Sequence, residues 1–276
     1  MSIFQSVFLG ILQGFAEFLP ISSSGHLSIA QHLFGLSDVP LLFDVFLHLA
    51  TLCAVILFFR KKIARLFCVF GRLILRKPAD AEELMYRRYI AGVILATLVT
   101  GCIGIIVEKK LNNIPIKFVC AGFLFTSALL IVSALIEKRM QGIGQTQDTP
   151  ELQKAPSLWQ SLIIGFAQGI GTLPGVSRSG SSISGALLCG VTREVAGEFS
   201  FIASIPAILG AFLLELKDLG EVGASVGVVP VAAGCIAAFV CGLVALAWLM
   251  KLIRNGKLAW FACYLIPVGI LGILFL

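Results

Sequence analysis

Charge is what this sequence has least of. Charged residues make up 13% of the chain against 58% hydrophobic, about half of the roughly 25% in a soluble domain, and mean hydropathy is +0.99. An ordinary soluble domain is excluded. No Lys or Arg precedes Arg60, so the N-terminus lacks the basic flank of a cleavable signal peptide, and Met1–Pro20 is expected to stay in the mature protein. The eight cysteines sit singly, with no Cys-x-x-Cys pair and no histidine at ligand spacing; they read as packing residues rather than a metal or redox motif. The net charge of +6 is confined mostly to short segments between apolar runs, so it reports membrane topology and implies no nucleic-acid partner.

What is present is a series of apolar runs, several of them long enough to cross a hydrocarbon core as helices. The expected fold is an all-α polytopic membrane protein. Residues 4–19 are apolar but carry Gln13 and Glu17, and Pro20 stops them; residues 24–36 form a second short piece, capped by a hydroxyl of Ser22, Ser23 or Ser24. Together they read as a re-entrant hairpin, tolerated at membrane depth where protein or water covers its turn. Crossings follow at 41–59, 89–107 and 115–136.

The second half repeats this order, with short pieces at 158–170 and 179–190 and crossings near 198–216, 226–250 and 258–276. One membrane domain, 1–276, thus divides into repeat one (1–137), a cytoplasmic linker (138–156) and repeat two (157–276). Three crossings per half is an odd number, so the two hairpins open from opposite faces. That is an inverted-topology repeat with six full crossings and two re-entrant hairpins, whose polar turns meet inside the protein. Sixteen of the 21 basic residues then fall in cytoplasmic segments; Lys109, Lys110, Lys117 and Lys217 lie outside and Arg178 lies in a turn. Both chain ends are expected on the extracytoplasmic side.

Chemistry is concentrated in the two turns. Glu17 and Arg178 each cost at least about 2.5–3.5 kcal/mol at a helix centre, so each needs a partner, a wet cavity or a function. Pro174, Gly175, Ser177, Arg178, Ser179 and Gly180 build a small-residue turn before a helix N-terminus, which suits an anion, and the arginine fork suits phosphate. Gln13 and Glu17 share a helix face at i and i+4; the carboxylate can act as a base or hold a divalent cation, with the Gln13 oxygen as a second ligand. His26, on the first turn after the serines, can take a proton from a serine or attack phosphorus itself. Asp44 and His48, also at i and i+4, read as an interhelical or pore-side pair, and Glu198 as an acidic residue favouring a helix N-terminus. The residues alone reach a phosphate-handling membrane protein.

Gln13-x-x-x-Glu17, PISSSGH at 20–26 and PGVSRSGSS at 174–182 resemble the signature of the bacterial undecaprenyl-pyrophosphate phosphatase family. The resemblance spans essentially the whole chain, including GVTREVAGEFSF at 190–201. Gln13 stands where the family often has Glu, Ser24 where Thr is common and Ser182 at the final Thr. The resemblance implies removal of the terminal phosphate from a polyprenyl pyrophosphate lipid, aided by Mg²⁺ or Ca²⁺, by a multi-pass protein of the bacterial cytoplasmic (inner) membrane with its site on the extracytoplasmic side. Arg178 with Ser177, Ser179 and Ser182 would clamp the pyrophosphate, with Ser22, Ser24, Gly175 and Gly180 around it, and Glu17 with Gln13 would hold the metal or orient the nucleophile. The attacking group is Ser23 activated by His26, His26 itself or a metal-bound water. A homodimer is likewise implied only by resemblance.

Two rival classes remain. A transporter or flippase for a polyprenyl phosphate or other anion fits inverted repeats with broken helices, but it needs the arginine without needing carboxylate, hydroxyl and imidazole together. A non-catalytic scaffold predicts that the serines and Arg178 matter only through folding.

Overall fold

The computed structural model describes residues 1–36, 41–110, 114–142, 155–215 and 227–276, and among them every regular element is helical. In order these are α1 (Ile3–Phe18), α2 (Ser23–Leu33), α3 (Leu41–Phe58), α4 (Arg60–Ile74), α5 (Ala81–Lys110), α6 (Ile116–Gly142), α7 (Leu158–Ile170), α8 (Arg178–Leu188), α9 (Arg193–Glu215), α10 (Val228–Arg254), a 3₁₀ turn (Leu258–Phe261) and α11 (Ala262–Phe275). Five stretches are long and apolar enough to cross a membrane: Ala81–Val107, Ile116–Arg139, Arg193–Leu214, Val228–Arg254 and Leu258–Phe275. A sixth is reached if Leu42–Phe58 and Arg60–Ile74, bent by 82°, count together. The protein is therefore a polytopic helical membrane protein. The 138–156 linker lies mostly outside the described residues.

The basic stretch after α3, expected to be a cytoplasmic connection, is itself helical. In α4 the apolar residues Ile63, Leu66, Phe67 and Phe70 recur at helical spacing and line a groove with residues of α5 and α9. Lys62 points elsewhere, to Glu198 Oε1 on α9 at 3.0 Å. Charge also failed to end α5, which starts at Ala81 rather than near 89. Asp80 Oδ1 accepts the Glu83 N–H at 2.7 Å as a cap, and the Glu83 carboxylate takes Arg72 and Arg87 at 3.0 and 3.3 Å.

α1 and α7 start alike. Ser2 Oγ accepts from Gln5 N–H while Gln5 Oε1 accepts from Ser2 N–H, and Ser157 and Gln160 form the same capping box. Small residues then let each short helix lie directly on a long one, α1 along α10 and α7 along α5. A Cβ on Gly14 would stand 2.7 Å from the Ala238 oxygen, and one on Gly10 would run into the Gly234 carbonyl. On α7, a Cβ on Gly165 would stand 2.6 Å from Ala96 Cα. These contacts fix the depth of both polar turns.

Candidate active site

Both turns contain a proline and are restarted by a serine cap. Leu19, preceding Pro20, is extended and ends α1; Ser22 then takes φ 69°, an uncommon conformation for a residue with a side chain. Its Oγ accepts from Gly25 N–H at 3.3 Å and caps α2. In the second turn Gly175 takes φ 82° against the Val119 carbonyl, where no side chain fits. Ser177 Oγ accepts from Gly180 N–H at 3.0 Å and caps α8. The turns touch each other: Ser179 Oγ donates to Leu19 O at 3.4 Å, and a Cβ on Gly180 would stand 3.1 Å from Pro20 Cβ.

Glu17 is where the two turns join. Its Oε2 accepts from Ser23 Oγ at 2.6 Å and from Gln13 Nε2 at 3.0 Å, and His48 Nδ1 lies 3.0 Å away. Its Oε1 takes Arg178 Nη1 at 3.3 Å. The carboxylate is 9% exposed and Arg178 29%, so the arginine keeps donors free for a ligand. A cavity of about 70 Å³ opens beside this pair, lined by Glu17, Ser23, Ser24, His48, Ser177 and Arg178 among others. A smaller void of about 20 Å³ on the same ion pair is lined by Gln168, Ser179, Ser182 and Ser200. An anion in the larger cavity would meet one guanidinium, several hydroxyls and one carboxylate-activated serine.

Each candidate from the sequence has a definite place. Glu17, Ser23, Ser24, Ser177 and Arg178 line the larger cavity; Ser179 and Ser182 line the smaller one. Ser22, Gly175 and Gly180 shape the turns. His26 has both ring nitrogens engaged, Nδ1 at 2.9 Å from Ser22 O and Nε2 at 2.8 Å from Tyr264 Oη, whereas Ser23 is bonded to Glu17. Gln13 is fully buried, and its Oε1 has no hydrogen-bond partner. Of the Asp44 and His48 pair only one residue joins the site, and Tyr264 escaped the sequence reading. Asp44 takes an interhelical bond from Gln31 at 2.8 Å, but His48, one turn on, enters the Glu17 network. Tyr264 gave no signal beyond being a lone phenol in the last span.

The family model described as bacitracin resistance protein BacA matches residues 6–271. The chain belongs to this family. Among BacA relatives, the undecaprenyl-diphosphatase of Treponema denticola is 49% identical over 272 residues, covering 98% of this chain and 96% of the relative. The undecaprenyl-diphosphatase of Methanobrevibacter smithii is 38% identical over 278 residues, 98% of this chain and 96% of the relative. That of Carboxydothermus hydrogenoformans is 37% identical over 276 residues, 99% and 96%. With the match running past α11's midpoint, both polar turns lie within the BacA region.

Proposed function

We propose that the chain hydrolyses undecaprenyl pyrophosphate to undecaprenyl phosphate and inorganic phosphate, recycling the lipid carrier of cell-wall polysaccharide synthesis. The observation that carries this reading is Ser23 Oγ, 2.6 Å from a carboxylate whose other oxygen holds Arg178; the names of the BacA relatives supply the substrate.

In this reading Arg178 swings its free donors onto the pyrophosphate oxygens, where a planar fork matches phosphate geometry. Ser23 Oγ attacks the terminal phosphorus and its proton passes to Glu17 Oε2. The bond from phosphorus to the bridging oxygen breaks, and undecaprenyl phosphate leaves. Water then attacks the phosphoserine, Glu17 returns the proton to Ser23 Oγ, and phosphate leaves with both water protons. Most of the rate enhancement comes from position and charge, as in phosphoryl transfer generally.

A divalent cation fits the donor set. Gln13 Oε1 is buried without a partner, on a side chain whose Nε2 already donates to Glu17 Oε2 at 3.0 Å, so a neutral oxygen is available beside the carboxylate. Among the described residues no three His, Cys, Asp or Glu side chains converge on a metal site, which suits Mg²⁺ bound by one or two protein oxygens plus substrate phosphate. Glu17 and Gln13 would hold it, and when bound it neutralises pyrophosphate charge.

The two halves belong to an inverted-topology repeat with re-entrant hairpins. Supporting this, Ser2, Gln5, Gly10, Gln13, Gly14, Ser22 and Gly25 recur at a constant offset of 155 residues as Ser157, Gln160, Gly165, Gln168, Gly169, Ser177 and Gly180. The packing is exchanged to match, α1 on α10 and α7 on α5. The membrane is the bacterial cytoplasmic one and the site faces its extracytoplasmic side, a reading supported by the family resemblance, while the positive-inside distribution orients the spans.

The test is phosphate release from detergent-solubilised undecaprenyl pyrophosphate, with and without EDTA, for wild type, Ser23→Ala, Glu17→Ala and Arg178→Ala. Metal-dependent release that the folded variants lose is the expected result. A folded wild type that releases nothing in the presence of Mg²⁺ or Ca²⁺ overturns the reading and leaves a carrier of anionic head groups.

A further inference from the structure

His26 Nδ1 lies 2.9 Å from the Ser22 carbonyl oxygen, an atom that can only accept, so Nδ1 carries the imidazole proton. In the neutral ring Nε2 is then the acceptor, and Tyr264 Oη at 2.8 Å donates to it. The Ser22 carbonyl fixes the tautomer, and Tyr264 supplies the donor for the other nitrogen. The ring also packs against Phe123, with centroids 4.9 Å apart, and lies nearly parallel to the Tyr264 ring, 5.7 Å away with 19° between planes. Tyr264 is 45% exposed, yet its hydroxyl points inward; in an apolar span a phenol needs an internal partner.

What the ring holds is the turn before Ser23. Ser22 has φ 69°, and its own Oγ makes only long bonds, 3.3 Å to Gly25 N–H and 3.4 Å to Ser24 Oγ. The Nδ1 contact is the shortest bond on that residue. We propose that Tyr264 is a positioning residue of the phosphatase: its hydroxyl holds the His26 ring in place through Nε2, and the Nδ1–H bond that the held ring gives to Ser22 O locks the left-handed turn that aims Ser23 at Glu17. This rests on Ser23 being the attacking group.

Histidine-selective ¹⁵N labelling tests it, since the chain has 3 histidines and the spectrum reads which nitrogen bears the proton. Wild type is expected to show His26 protonated on Nδ1 with Nε2 bare. Tyr264→Phe keeps the aromatic ring but removes the donor to Nε2; the Nε2 resonance then shifts as its hydrogen bond is lost, and kcat falls roughly tenfold, the scale of one lost hydrogen bond, with KM nearly unchanged. In a His26→Asn background, whose amide N–H can replace Nδ1 toward Ser22 and offers nothing to Tyr264, the same change should alter kcat by less than about twofold. Melting temperatures in the same detergent confirm that each variant is folded. A wild-type His26 protonated on Nε2 overturns the proposal, as does wild-type kcat in Tyr264→Phe or an equal loss in the His26→Asn background. Full activity of Ser23→Ala overturns the nucleophile instead, and the histidine spectrum still decides the tautomer independently.

Discussion

Arg178 Nη1 lies 3.3 Å from Glu17 Oε1 across 161 residues of sequence. Each is a charge that an apolar fold tolerates only with a partner, and each comes from a different turn. The pair therefore holds the two halves together at the place where substrate must enter. A pyrophosphate would meet the donors that Glu17 leaves free, so the arginine stays neutralised before and after binding.

Arg178→Lys should separate charge from geometry. An ammonium can still face Glu17, so the folded state should lose less than about 1 kcal/mol, while a point charge cannot fork onto two phosphate oxygens. Phosphate release should fall at least roughly a hundredfold. Arg178→Ala should lose activity as well and in addition about 1–3 kcal/mol of stability, below the roughly 3–5 of a fully buried pair because Arg178 is 29% exposed. Thermal unfolding in detergent beside the phosphate assay reads both.

Gly14→Ala and Gly165→Ala should each destabilise by about 1–3 kcal/mol, since the added methyl meets backbone of a facing helix at 2.7 and 2.6 Å. Gly101→Ala and Gly210→Ala are the controls. Nothing lies within 4 Å of a Cβ at either position, and they should stay within about 0.5 kcal/mol of wild type. Equal losses in all four would mean that helix flexibility, not close approach, is what these glycines provide.

The two turns were legible because polar residues stand out sharply in an apolar sequence: Glu17, the serines and Arg178 needed no partner to be noticed. Their meeting is a different matter. That Ser23 bonds to Glu17, and that Glu17 reaches Arg178, depends on α1 lying on α10 and α7 on α5, which is set by small residues far apart in sequence, Gly10 against Gly234 and Gly165 against Ala96. His48 and Tyr264 are single polar side chains whose significance lies wholly in what they touch. The α4 helix was hidden for the opposite reason. Its basic residues dominated the reading of 60–77, although Ile63, Leu66, Phe67 and Phe70 carry a helical period that was there to be read.

Ser22 offers a test in which stability and activity move apart. Ser22→Gly releases the left-handed strain, worth about 1 kcal/mol, and a glycine cap loses only a few tenths relative to serine. The variant should be as stable as wild type or more so. Ser22→Ala keeps φ at 69° but removes the bond to Gly25, and should lose about 1 kcal/mol. Because the Ser22 turn aims Ser23 at Glu17, Ser22→Gly should lower kcat while its unfolding temperature holds, read by the phosphate assay beside thermal unfolding.

Gln13→Glu addresses the cation directly. The replacement puts a second carboxylate one helical turn from Glu17, with the two groups facing each other where the amide now stands 3.0 Å away. Without metal, two buried like charges repel, so the variant should unfold more readily than wild type in EDTA. With metal the sign reverses: an added anionic ligand strengthens the site, and the Mg²⁺ concentration for half-maximal phosphate release should fall roughly tenfold. Stability in Mg²⁺ should recover to near that of wild type by binding linkage. The decisive comparison is the Mg²⁺ titration of both proteins at fixed lipid concentration. An unchanged midpoint, with the EDTA destabilisation still present, would place Gln13 beside the reaction as a hydrogen-bond donor to Glu17 and remove it from the metal site.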